Sequence, residues 1–130
     1  MKRWVLRTLL ASVLLWASPS GLAAGNLSAD VDGIRVELTS EPERPGTKQP
    51  TAYVLRLTDA QGTPLSGAKV TLQGRMADGM MVLAPLRPAT EPGIYRGRVL
   101  FTMEGPWTLR LRVSGTGKPV ELLLTEQVGR

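Results

Sequence analysis

The sequence contains neither cysteine nor histidine, and each absence closes off chemistry. Without cysteine there is no disulfide and no thiolate nucleophile. Without histidine there is no Ser-His-Asp triad, and without either there is no zinc finger and no His- or Cys-ligated haem. A general base would have to be a carboxylate, a lysine or a tyrosine. Aromatics are scarce, 5% of 130 residues, so any core is built mainly from aliphatic side chains. A long hydrophobic run is missing too: residues 8–17 form a nearly uncharged stretch, whereas a membrane-spanning helix needs about 20 apolar residues.

That short run has the layout of an export signal. Lys2, Arg3 and Arg7 precede it, Pro19, Ser20 and Gly21 follow it, and Leu22-Ala23-Ala24 supplies small residues for cleavage. The alternative, an uncleaved anchor, is poorly served by so short a run between Arg7 and Pro19. The expectation is a signal peptide over 1–24, cleaved after Ala24 or Ala23, and a mature domain over 25–130. Such a protein works in the periplasm or otherwise outside the cytoplasm. No cysteine follows the cleavage point, which excludes a lipid-anchored lipoprotein. The formal charge of +5 also changes meaning: three of the 16 basic residues lie in the signal, leaving 13 against 11 acidic ones. Nucleic-acid binding therefore loses its electrostatic support.

The mature chain alternates with period two between clusters of turn residues. Ala68, Val70, Leu72, Gly74 and Met76 share one parity, while Lys69, Thr71, Gln73 and Arg75 share the other, as on a strand with one dry and one wet face. Similar runs begin at Ile34, Tyr53, Tyr95, Trp107 and Val120, with a weaker one at 80–83. Seven such strands, with no sustained helical period, predict a single all-β domain. It is an antiparallel β-sandwich of immunoglobulin type. Gly93-Ile94-Tyr95 has the pattern of a tyrosine corner, in which the phenol bonds back to a preceding loop, so Tyr95 reads as structural rather than catalytic.

The stretch Leu57-Thr58-Asp59-Ala60-Gln61-Gly62-Thr63-Pro64-Leu65-Ser66-Gly67-Ala68-Lys69-Val70 resembles a strand–turn–strand of YtkA-like and FixH-like exported domains. So do Pro92-Gly93-Ile94-Tyr95-Arg96-Gly97 and the Met-x-Gly-x-Trp turn from Met103 to Trp107, which gives Trp107 a structural place. The resemblance spans about residues 33–114. It implies an extracytoplasmic β-sandwich without enzymatic activity, an accessory domain whose relatives are associated with copper handling or with maintenance of a membrane complex. Its partner would be another envelope or membrane protein. FixH-like members usually keep a membrane helix, so the match is better to YtkA-like domains. Many relatives pair methionines with histidine, and this chain has none.

Two groups of residues are candidates for function. Thioethers are soft, neutral ligands suited to Cu(I), and Met76, Met80 and Met81 fall within six positions around Asp78-Gly79. Against this, Met76 and Met103 are in phase with apolar strand faces, where methionine fills gaps. Adjacent Met80 and Met81 point to opposite faces of a strand, so only one of them joins Met76. The second group is Arg96 and Arg98 on one wet face and Arg110 and Arg112 on another. If the short 104–106 connection forms a hairpin, all four crowd one surface, either offset by carboxylates such as Glu37 or Glu121 or meeting an anionic partner. The carboxylate pairs Asp30/Asp32 and Glu41/Glu43 read as solvated surface acids rather than as a catalytic or Ca²⁺ site. The remaining functional alternative is a protein-interaction module that binds no metal.

Overall fold

The computed structural model describes residues 26–130; the signal peptide expected over 1–24 lies outside the described residues. Eight antiparallel strands follow one another: β1 (Asn26–Val31), β2 (Ile34–Glu41), β3 (Thr51–Asp59), β4 (Lys69–Arg75), β5 (Met81–Pro88), β6 (Ile94–Val99), β7 (Gly105–Ser114) and β8 (Val120–Val128). The β-sandwich expectation holds with one strand more than predicted. The additional strand is β1, which pairs with β2 from Asn26↔Thr39 to Val31↔Ile34 across the Asp32-Gly33 turn. Among the described residues no helix is long and apolar enough to cross a membrane.

The strands join in one continuous order, β1-β2-β3-β6-β5-β4-β7-β8, which β5 divides into a first sheet, β1-β2-β3-β6, and a second, β5-β4-β7-β8. Most of β5 pairs with β4, but Arg87↔Arg96 and Pro88↔Tyr95 attach its end to β6. Alternation fixes what each sheet buries. In β7, Trp107, Leu109, Leu111 and Val113 are buried while the residues between them are exposed. In β4, Val70, Leu72 and Gly74 face inward and Lys69 and Arg75 outward. The first sheet contributes Val36, Leu38, Tyr53, Leu55, Leu57 and Tyr95 to the same core. Residues 26–130 therefore hold all eight strands and the core they enclose.

One expectation fails here, and the failure matters for function. The strand from Tyr95 ends at Val99 and does not form a hairpin with β7. Instead β6 pairs with β3, β7 pairs with β4 and β8, and the chain between them crosses from one sheet to the other. The cause is the burial of Phe101 and Trp107. Their rings meet edge to face with centroids 5.2 Å apart, and Trp107 Nε1 donates to the Met103 carbonyl at 2.9 Å. Two large rings entering the core on either side of residues 102–106 oblige that segment to run over the end of the sandwich.

The opposite end is closed by the predicted tyrosine corner. The Tyr95 hydroxyl donates to the Leu65 carbonyl at 2.8 Å and accepts from the Ala68 N–H at 3.1 Å. Residues 65–68 belong to the connection from β3 to β4, which is another crossing between sheets. Gly93, at φ +78°, turns the chain into β6, and its carbonyl accepts from Leu57 N–H at 2.8 Å. A Cβ at Gly93 would lie 2.8 Å from the Leu57 carbonyl oxygen, so no larger residue fits.

Candidate functional site

The methionines gather at the end where β4 finishes and β5 and β7 begin. The turn 76–80 closes with Met76 N–H donating to the Met80 carbonyl at 2.9 Å, and the Asp78 carboxylate accepts the Met80 N–H at 3.0 Å. Because Arg75 pairs with Met81, Met76 and Met80 stand opposite each other. Directly opposed residues share a face, so the two side chains leave the turn on the same side. Met81 faces the other way, where the Arg75 guanidinium reaches its Sδ at 3.7 Å.

Met103 reaches the same end from the crossing segment that precedes β7. Met76 packs against the core's edge, with its Cε only 3.1 Å from where a Cβ at Gly105 would stand. Gly105 is two residues beyond Met103, whose backbone is held by Trp107. The end of the sandwich thus carries Met76, Met80 and Met103, and the latter two remain 40% and 42% exposed. The sequence pattern put Met103 on a strand's apolar face; it lies instead in the crossing segment. Among the described residues, no group of three or more histidine, cysteine, aspartate or glutamate side chains is placed to hold a metal ion.

The arginines separate. Arg96 and Arg98 lie on the outer face of the first sheet, and Arg110 and Arg112 lie on the outer face of the second, across the core. The expected surface of four crowded guanidinium groups does not exist. Each pair has its own setting. On the first sheet, Arg96 approaches Glu91 at 3.8 Å, while Arg35 contacts both Asp30 and Glu37 at 3.4 Å. On the second, Arg110 and Arg112 share Glu121, at 3.4 and 3.6 Å. The expected relief by Glu121 is present; Glu37 instead serves Arg35.

Two residues missed by sequence reasoning join Arg110 and Arg112. Lys69 and Arg75, at the two ends of β4, face the same way on the neighbouring strand. The even spacing of Lys69, Thr71, Gln73 and Arg75 showed a wet face, but only the β4–β7 register shows which arginines share it. A shallow groove of about 540 Å³ runs through this face between Lys69, Thr71, Leu83, Arg110 and Arg112. A larger groove of about 820 Å³ crosses the first sheet's outer face, with Glu37, Arg56, Glu91 and Arg96 in its lining. Its charges are mixed; Ser28 and Glu37 stand opposite each other in its lining, and Arg35 donates to both, which occupies the carboxylate as an ion-pair partner. Asp30 is engaged by Arg35, and Asp32 sits in the β1–β2 turn at φ +51°, so the two do not form a site.

A family model described as YtkA-like matches residues 28–112. The chain belongs to the YtkA-like family. The matched region runs from β1 into β7, so the sandwich of this YtkA-like chain is completed by β8 beyond it. No curated protein matches the chain in sequence. Among solved structures it is similar to a DUF4426 family protein from Pseudomonas aeruginosa PAO1, with TM-score 0.64 and 10% identity over 81% of this chain and 95% of that one. It is also similar to the Lin-41 filamin domain, with TM-score 0.53 and 24% identity over 83% and 95% respectively. At these identities both likenesses bear on the fold alone, and both agree with a YtkA-like β-sandwich.

Proposed function

We propose that this chain is a non-catalytic binding domain that works outside the cytoplasm and carries Cu(I) at its methionine end. The observation that supports this is the grouping of Met76, Met80 and Met103 where β4, β5 and β7 meet, with two of the three open to solvent. Methionine is ordinarily a core filler, so exposed methionines beside a third at one end of a domain call for a use. Three neutral thioethers match the softness of Cu(I) and offer little to harder cations. Copper in this reading is cargo. The chain's own contribution is to hold the turn 76–80 through Asp78 and the crossing segment through Trp107. Work outside the cytoplasm is supported by the charged, apolar and small-residue order of residues 1–24. An envelope or membrane protein is then the natural donor or receiver of the ion.

The test is a Cu(I) titration of residues 25–130 against a colorimetric chelator. Met80→Leu and Met103→Leu are each expected to weaken binding at least about tenfold, as loss of one of three soft ligands implies. Met81→Leu is expected to leave it unchanged. No Cu(I) binding, or binding indifferent to both Met80→Leu and Met103→Leu, overturns the metal reading and leaves an interaction module.

A further inference from the structure

We infer that the outer face of the second sheet is a docking surface for an anionic phospholipid bilayer. This does not depend on copper, and the face adjoins the methionine end only at Arg75. The face presents Lys69 and Arg75 from β4 and Arg110 and Arg112 from β7, and among the described residues its strands add one outward carboxylate, Glu121. That carboxylate is already shared by two arginines. Arg75 has turned to the Met81 sulfur. The first sheet's outer face is more evenly mixed: Asp30 and Glu37 engage Arg35, and Glu91 engages Arg96.

Two features favour a bilayer over an acidic polypeptide. The first is that exposed apolar side chains project from the same face as the cations. Leu83 and Leu123 are 67% and 60% exposed, the two most exposed large apolar side chains of the described residues. The second is their placement. Leu83, Gln73, Arg110 and Leu123 lie on one register row across β5, β4, β7 and β8. Three strand spacings separate the leucines, about 14 Å. An extended peptide lies along one line, whereas a lipid surface meets a whole sheet face at once. It takes aliphatic tips at the headgroup boundary while phosphates meet the cations between them. The groove between Lys69, Arg110 and Arg112 gives those phosphates room, with Glu121 as the one carboxylate in its lining.

The experiment is co-sedimentation of residues 25–130 with vesicles of phosphatidylcholine alone or mixed with phosphatidylglycerol. Omitting 1–24 removes the apolar segment that would bind any lipid. Binding is expected only to the phosphatidylglycerol vesicles and is expected to weaken as salt rises from 50 to 300 mM. Arg110→Gln with Arg112→Gln is expected to cost about 25-fold, at roughly fivefold per charge near a lipid surface. Leu83→Ser with Leu123→Ser is expected to weaken binding with the salt dependence retained. Arg96→Gln with Arg98→Gln, on the opposite face, is expected to change nothing. Circular dichroism of each variant separates loss of binding from loss of fold. The inference is overturned by absence of phosphatidylglycerol binding, by equal binding to both vesicles, or by equal losses from the two arginine pairs. Binding to polyglutamate but not to vesicles also overturns it, in favour of an acidic protein partner.

Discussion

Tyr95 and Tyr53 stand on neighbouring strands, β6 and β3, and face the same core; each is 1% exposed. Their hydroxyls are treated in opposite ways. Tyr95 donates to Leu65 and accepts from Ala68, using both capacities of a phenol on the backbone of one loop. The Tyr53 hydroxyl is buried with no hydrogen-bond partner among the described residues. Burial, reinforced by the charge of Glu126, pushes its proton affinity well above the ordinary phenol range. Glu126 is itself fully buried and lies opposite Trp107, toward the methionine end. The sandwich is therefore tied at the corner end by a polar anchor. Toward the methionine end it carries polar groups inside the core. A buried tyrosine is a structural device only where its oxygen does bonding work; elsewhere it is a large ring with a costly substituent.

The largest effect that can break this comparison comes from Tyr95→Phe. The substitution keeps the ring and its packing but strips partners from the Leu65 carbonyl and the Ala68 N–H. A buried polar group left without a partner costs about 1–3 kcal/mol, so the expected loss is about 2–4 kcal/mol in denaturant unfolding. The midpoint should fall with little change in the denaturant slope, because the folded core stays intact. A loss below about 0.5 kcal/mol would mean that the corner does not anchor the β3–β4 crossing.

That corner is legible in the sequence because its signal is local: Gly93 supplies the turn and Tyr95 follows two residues later. The strand faces were legible for the same reason, and so was the opposition of Met80 and Met81, since neighbouring residues on a strand must diverge. Strand partnership was not legible. Residues 104–106 are short enough for a hairpin, and alternation does not record whether a chain turns back beside itself or crosses to the other sheet. The burial of Phe101 and Trp107 decides that question, and with it the separation of Arg96 and Arg98 from Arg110 and Arg112. Lys69 and Arg75 were likewise visible as outward residues but could not be assigned neighbours without the β4–β7 register. Met103 joined the methionine end for the same nonlocal reason. β1 had a local signal, Asp32-Gly33 between two short alternating runs, which suits a tight hairpin turn. Its small and polar residues made the strand itself weak.

An intermediate effect appears at high pH. An unfolded tyrosine loses its proton near pH 10. Tyr53 holds its proton more tightly when folded, so above that pH the unfolded chain sheds a proton that the folded chain keeps. Stability is therefore full below about pH 10 and falls above it, by up to about 1.4 kcal/mol per pH unit from this residue. Comparing wild type with Tyr53→Phe isolates the contribution, because the other titrating groups are common to both. Unfolding measured at pH 9.0, 10.5 and 11.5 should show the two proteins diverging, with the phenylalanine variant less sensitive to alkali. Parallel curves would show that the Tyr53 phenol titrates alike in folded and unfolded chains.

The smallest effect is the most discriminating. At pH 7 Tyr53→Phe removes a buried hydroxyl whose desolvation has no hydrogen bond to offset it, and it leaves no backbone group stranded. The expected change lies between none and a gain of about 1 kcal/mol, since deleting an unsatisfied polar group recovers part of its burial cost. The ring continues to fill the space between β3 and the rest of the core, so no cavity larger than one oxygen opens. Set beside Tyr95→Phe, the same chemical deletion on the neighbouring strand should differ by at least about 2 kcal/mol in its effect on unfolding. If both substitutions destabilise equally, the Tyr53 hydroxyl is held as firmly as that of Tyr95. The polar groups near Glu126 would then be a second anchor, and the contrast between the two ends of the sandwich would disappear.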